Sequence, residues 1–292
     1  MKTKEENKMK KVKYFKMAQP DGWDFYTGKT INYRQNIGRW VSIPDTGKYE
    51  LCSPSVIHAS LNPNDCFIGV KKLPVSCFVV EGKPVVEGKK KSGFVKLSVI
   101  EEIPQEKLDE LLGWKYIEGC SPVNPLLINS EVTAKDWKLL KNWASVGDSV
   151  EVSVKDSVWA SVKDSVWASV EASVKASVKD SVWVLVEISV WASVWASVET
   201  LVEASVEALV GDSDWVSVRD SVEVSVRASV WAYIGSIFPG IKEWEYCNFK
   251  YNGYPFQPAV DLWHRGFVPV KVKGKKWVLW NQEKGIIKQE AE

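Results

Sequence analysis

Histidine is nearly absent from this 292-residue chain, which carries only His58 and His264. The five cysteines, Cys52, Cys66, Cys77, Cys120 and Cys247, form no CxxC pair. Together these shortages exclude the common zinc-ligand spacings and a disulfide framework, so reduced thiols and no bound metal are expected. No phosphate-binding loop, GxSxG elbow, HExxH or paired-carboxylate signature is present. The lysine-rich opening MKTKEENKMKKVKYFK lacks the apolar run of a secretory signal and reads as a solvated tail. The most apolar window, SVWVLVEISVWASVWASV, contains Glu187 and is dense in serine, which makes it a poor membrane span. Basic residues are scattered without the aromatic interleaving of a nucleic-acid platform. These absences lead to the expectation of a soluble, cytoplasmic protein with no membrane partner and no direct nucleic-acid binding.

Charge is present but unevenly placed. The net charge is +1, yet Ser145 to Phe238 holds 14 Asp/Glu against 6 Lys/Arg, so an acidic middle lies between basic flanks. Residues 1–118 read as a mixed α+β domain, in which β-rich runs such as VKYFKMA, GRWVSI, SVIHAS, VSCFVVEG and GFVKLSVIEEI alternate with Gly, Pro and Asn clusters. PQEKLDELLG reads as a helix opened by Pro104 and closed by Gly113. Residues 119–144 read as a linker, GCSPVNPLL, and a short amphipathic helix, TAKDWKLLKNWA. Residues 239–292 read as a cap made of a proline-opened helix, YPFQPAVDLWHRGF, and a hairpin, VPVKVKGKKWVLWN. His264 has no second ligand beside it and reads as structural.

Between these segments, at 145–238, lies a tetrapeptide repeat. From Val146 to Val230 every fourth residue is Val except Asp214, and the residue before it is Ser except at Leu185, Leu201 and Leu209. A step of four advances an α-helix by about 400°, so the valine stripe drifts about 40° per repeat and circles the helix. One rod of such a helix would bury no face, and Ser and Val are mediocre helix formers. The expectation is therefore mainly β: a four-sided β-solenoid of about 16 residues per coil, Val filling its axis. Sixteen-residue stacking would line up Trp167, Trp183, Trp215 and Trp231 on one face and Glu171, Glu187 and Glu203 on another.

The order Ala/Asp-Ser-Val-x resembles the pentapeptide-repeat family with one variable position removed, over the middle third of the chain. That resemblance implies a four-sided β-solenoid, and an acidic DNA mimic as one use of it. The repeat together with the YPFQPAVDLWHRGFVP tail also resembles proteins of gut bacteria and their phages, which implies no activity. Exposed aromatic patches mark partners or self-association, so the leading expectation is a non-catalytic scaffold or interaction protein, needing no cofactor, whose surface is the Trp face (Trp167, Trp183, Trp215, Trp231) or the acidic face (Glu171, Glu187, Glu203).

A second expectation comes from the N-terminal segment. INYRQ (Arg34), CSPSVIHAS (His58, Ser60) and VIEEI (Glu102) follow in an order that resembles ADP-ribosyltransferase-like folds. The resemblance implies NAD as cofactor, Arg34 on a phosphate, His58 and Ser60 lining the pocket, and Glu102 as the carboxylate that orients the ribose.

Overall fold

The structure is a computed structural model that describes residues 12–26, 30–157, 165–209, 215–272 and 276–288, with backbone alone at 155–157, 208–209 and 215–217. Two compact units divide it, residues 1–112 and 113–292.

The N-terminal unit contains β1 (Lys13–Ala18), β2 (Trp40–Ser42), β3 (Ile57–Ala59), β4 (Ser76–Glu81), β5 (Val86–Glu87), β6 (Ser92–Phe94), β7 (Lys96–Ile103) and the short helix α1 (Leu108–Leu112). One antiparallel sheet runs β1-β4-β7-β2 and a second runs β3-β6-β5. In β4 and β7 the apolar residues Phe78, Val80, Leu97 and Val99 point to one face, where they meet Tyr14, Val41, Ile57 and Phe94 in a single core. In β7 that is the period-2 pattern of a strand covered on one side, whereas β4 is buried on both faces, Cys77 and Val79 included. The register of β4 on β7 slips between Val79 and Val80, a bulge that bends the pair. Backbone bonds between Phe15 and Ser60 (2.7 and 3.0 Å) tie β1 to the end of β3.

The second unit comprises α2 (Tyr116–Cys120), α3 (Ala134–Ser157), α4 (Ser165–Ser177), α5 (Asp180–Leu209), α6 (Trp215–Ser236), α7 (Gln257–His264) and the antiparallel strands β8 (Val268–Val272), β9 (Lys276–Asn281) and β10 (Gly285–Ile287). The expected β-solenoid is thus overturned. The described part of the tetrapeptide tract falls largely in α3 to α6, and the described chain is mixed, 45% helix against 20% strand, with no solenoid.

The reason lies in the length of each helical piece. α4 carries three valines of the row, Val166, Val170 and Val174, all buried, which drift by only about 80° and stay on one face. The α6 row, Val218, Val222, Val226 and Val230, continues into buried Ile234. α5 carries seven, Val182 to Val206, none more than 9% exposed. Their drift of about 240° is met by a succession of neighbours, since α5 packs on α4, α6, α2 and β10. α6 in turn touches α4, α5, α7 and β8, and every residue from Ala228 to Phe238 is buried. A row at spacing four is one ridge of a helix, and the adjacent serine row is a shallow groove, which is what helix packing by i±4 ridges requires.

Serine is accommodated by bonding back to its own helix. Ser149 donates to Ser145 O (2.8 Å), Ser173 to Ser169 O (2.7 Å) and Ser229 to Ser225 O (3.2 Å). Other serines clip passing chain. Ser169 Oγ donates to Glu245 O and Ser173 Oγ accepts Glu245 N–H (2.7 Å); Ser221 Oγ donates to Lys271 O (3.0 Å) and Ser225 Oγ accepts Lys271 N–H (3.0 Å).

α3 starts at a capping box: Asp136 accepts both the backbone N–H and the hydroxyl of Thr133 (2.8 and 2.7 Å), and Arg265 grips the same carboxylate. The stretch expected as a linker is docked, with Val123 N–H on Tyr233 Oη (2.9 Å) and Val123 O on Trp263 Nε1 (2.8 Å).

Candidate functional site

Alternation along β3 buries Ile57 and Ala59 in the core and turns His58 to the opposite side. There it lines a cavity of about 440 Å³ in the N-terminal unit, whose other walls include Lys16, Asp24, Cys52, Cys66 and Lys91. Apolar lining comes from Met17, Val56, Ile68 and Val70. Gly69, at φ 93°, keeps one side open to Tyr26: a Cβ there would stand 1.4 Å from the Tyr26 hydroxyl.

Lys16 and Asp24 form a buried ion pair at 2.7 Å, their side chains 9% and 3% exposed. The Asp24 carboxylate also accepts the Tyr33 hydroxyl (2.8 Å) and the Tyr26 N–H (2.8 Å). Burial by itself pushes the Asp24 carboxyl up, but the Lys16 ammonium and these hydrogen bonds outweigh it and hold the pKa down at about 2. Buried charge is tolerated here because the carboxylate is both paired and hydrogen-bonded.

At the opposite wall, Cys52 N–H donates to His58 Nε2 at 2.9 Å, which assigns the ring proton to Nδ1. Burial, then the nearby Lys91 and Lys16 charges, lower the His58 pKa to about 4, so the ring is neutral. Lys91 Nζ lies 2.8 Å from Cys52 Sγ. Cys52 is exposed and sits at φ 67°, one of two non-glycine residues with positive φ among the described residues, a conformation that costs energy and is over-represented at functional positions. Cys66, by contrast, donates to Phe15 O (3.0 Å) and is pushed up to about 11 by burial.

The four residues expected of a transferase do not come together. His58 and Ser60 line the cavity. Arg34 and Glu102 instead hold each other in a two-pronged ion pair, Nε to Oε2 at 2.7 Å and Nη2 to Oε1 at 2.6 Å, with Ser76 Oγ completing it at 2.9 Å. The hydrogen bonds from Arg34 lower the Glu102 pKa. Neither residue lines the cavity.

In the helical unit, two of the tryptophans expected on an outer solenoid face, Trp183 and Trp231, turn inward, while Trp167 is 36% exposed. Trp183 and Trp231 are buried and stacked at 5.7 Å. Trp167 reaches Trp231 at 6.4 Å, and the side chain of Trp215 lies outside the described residues. Trp191, which the sixteen-residue spacing does not select, joins Trp231 at 5.8 Å. Glu171 is bonded to Lys175 (2.5 Å) and Glu203 is exposed. The Glu187 pKa is raised by burial and then by Glu171.

Lys16, Asp24, Cys52 and Lys91 carry no motif that reasoning from sequence could have found, since the fold alone gathers them. The described residues contain no group of three or more His, Cys, Asp or Glu able to hold a metal ion. The chain matches no protein-family model, and comparison with curated proteins and with solved structures likewise returns no match.

Proposed function

We propose that this chain is a binding protein whose N-terminal unit takes up a small organic anion, its apolar body in the His58 cavity and its anionic head against Lys91. The observation that carries this reading is the division of charge across the cavity. The Lys16 ammonium is already matched by Asp24 at 2.7 Å, whereas Lys91, beside neutral His58 and exposed Cys52, has a thiol as its contact. A cavity of about 440 Å³ with an apolar floor and a few polar groups is the usual form of a small-molecule site.

Binding is favoured over turnover because the His58 Nε2 lone pair is spent on Cys52 N–H, leaving no free base at that atom. The Arg34–Glu102 pair is likewise self-satisfied and lies off the cavity wall.

The test uses 8-anilinonaphthalene-1-sulfonate, which joins an anionic head to an apolar body. Saturable fluorescence enhancement that falls at least tenfold in affinity in Lys91→Met, and persists in Lys89→Met and Arg34→Ala, supports the reading. Indifference to Lys91→Met overturns it. So does ADP-ribose transfer from NAD that disappears in Glu102→Ala, detected by mass spectrometry.

A further inference from the structure

α5 has a second face that the described residues of its own unit leave exposed. Opposite Val182, Val186 and Val190, the first valines of the row, Val184, Ile188 and Trp195 are 46%, 54% and 55% exposed, and half-buried Trp191 lies between the last two. Spaced i, i+4, i+7, i+11, these four side chains fall within about 60° of the helix circumference and run about 16 Å along it. The stripe is firmly backed: Trp195 packs on Trp191 (5.8 Å), Trp191 on Trp231 (5.8 Å), and Trp231 on Trp183 (5.7 Å). A rigid aromatic anchor over a packed base is the kind of residue that dominates binding energy at interfaces.

Charge decides what such a stripe accepts. α5 carries Asp180, Glu187, Glu199, Glu203 and Glu207 and not one Lys or Arg. Glu199, Glu203 and Glu207 are exposed; Glu199 borders the stripe, about 50° from its centre line, while Glu203 and Glu207 turn progressively away from it. Glu187 flanks it, half-buried, with its carboxyl pushed up by burial and by Glu171, so a cation beside it would be welcome. A second copy of this helix would set carboxylate against carboxylate, and an anionic membrane surface would be repelled in the same way.

We propose that this face of α5 docks a cationic amphipathic helix of a partner protein, its apolar side over Val184, Ile188, Trp191 and Trp195 and its lysines or arginines beside Glu187 and Glu199, which border the stripe on its two sides. This is the helix-on-surface mode in which anchors recur at i, i+4 and i+7. It does not depend on the ligand proposed for the other unit.

The experiment uses the full chain and two fluorescein-labelled synthetic helices with the same Leu/Trp face, one otherwise lysine-rich and one otherwise glutamate-rich. Anisotropy should give saturable binding of the lysine peptide, at least tenfold weaker binding of the glutamate peptide, and affinity that falls as salt is raised. Trp195→Ser and, separately, the double variant Glu187→Gln/Glu199→Gln should each lose at least fivefold, with far-UV circular dichroism confirming that both remain helical. Equal binding of the two peptides, or affinity indifferent to both variants, overturns the proposal. A mass doubling in light scattering that Trp195→Ser abolishes would replace the partner by a second copy. Binding to phosphatidylcholine vesicles lost in Trp195→Ser would replace it by a lipid surface, and either result also overturns it.

Discussion

Ser225 accepts the backbone N–H of Lys271 at 3.0 Å with the same hydroxyl that donates to Val222 O at 2.8 Å. Ser173 treats Glu245 in the same way, donating to Ser169 O while accepting Glu245 N–H. In both cases the serine one turn earlier, Ser221 or Ser169, donates to the carbonyl of the same captured residue. The spacing of four thus places two hydroxyls along a helix so that they satisfy both backbone polar groups of one residue, as a neighbouring strand would. Ser225→Ala strands the Lys271 N–H and should cost about 1–3 kcal/mol. Ser221→Ala leaves a carbonyl with a second lone pair and should cost less. Urea denaturation followed by circular dichroism measures both.

The neutral state of His58 makes the N-terminal unit sensitive to mild acid. Its folded pKa of about 4 lies below the ordinary 6.5, so unfolding takes up a proton between these values. The His58 contribution is complete above pH 6.5 and is lost as pH falls toward 4. Asp24, held at about 2, weakens the fold only below its ordinary value of 3.8. The melting temperature of wild type should therefore decline between pH 6.5 and 4, and His58→Gln should flatten that decline. A profile unchanged by the substitution would contradict the assignment.

Glu187 acts in the opposite sense. Its folded pKa is raised above 4.5, so the native state binds the proton more tightly than the unfolded chain, and stability falls as pH rises through the window above 4.5. Glu187→Gln should melt higher than wild type at pH 7 and lose that advantage at pH 4, as scanning calorimetry would register.

The cysteines should separate by reactivity. Burial raises the thiols of Cys66 and Cys247 to about 11 and pushes Cys77 higher still, and thiolate is the reactive form. Cys52, exposed and in contact with Lys91, should take up iodoacetamide at least tenfold faster than these three in the native protein at pH 7.5. Peptide mapping by mass spectrometry reads the order, and equal rates would mean that the burial gradient is wrong.

The aromatic cluster should be carried by its buried members. Trp183 is 2% exposed and Trp195 55%, so Trp183→Ala should cost about 3–5 kcal/mol by the cavity it leaves. Trp195→Ser should leave the unfolding midpoint nearly unchanged.

Where strands alternate, the chain was legible by eye. KYFKMA, SCFVVE and KLSVIEEI show period two or continuous apolar character and form β1, β4 and β7. The repeat misled for a definable reason. Its valine drift of about 40° per unit excludes burial only for a single long rod without neighbours, whereas breaks such as that at Val178 and Lys179 leave helices of three to seven units. Low intrinsic propensity was overridden by tertiary packing and by serine back-bonding. His58 stood out as the lone histidine of a strand. Lys16, Asp24, Cys52 and Lys91 are drawn from four separate stretches, and no spacing rule joins them.

A tract of near-identical units invites copying errors in its gene, and the helical arrangement sets a tariff on them. Inserting one tetrapeptide in the middle of α5 would lengthen it by about 6 Å and twist everything beyond by about 40°. Leu201, Val202 and Val206 would be swung away from the surfaces they now fill, and the acidic tip would be re-aimed. Repeat number is thus under geometric selection within each helix, and duplications should survive only at the joints between helices.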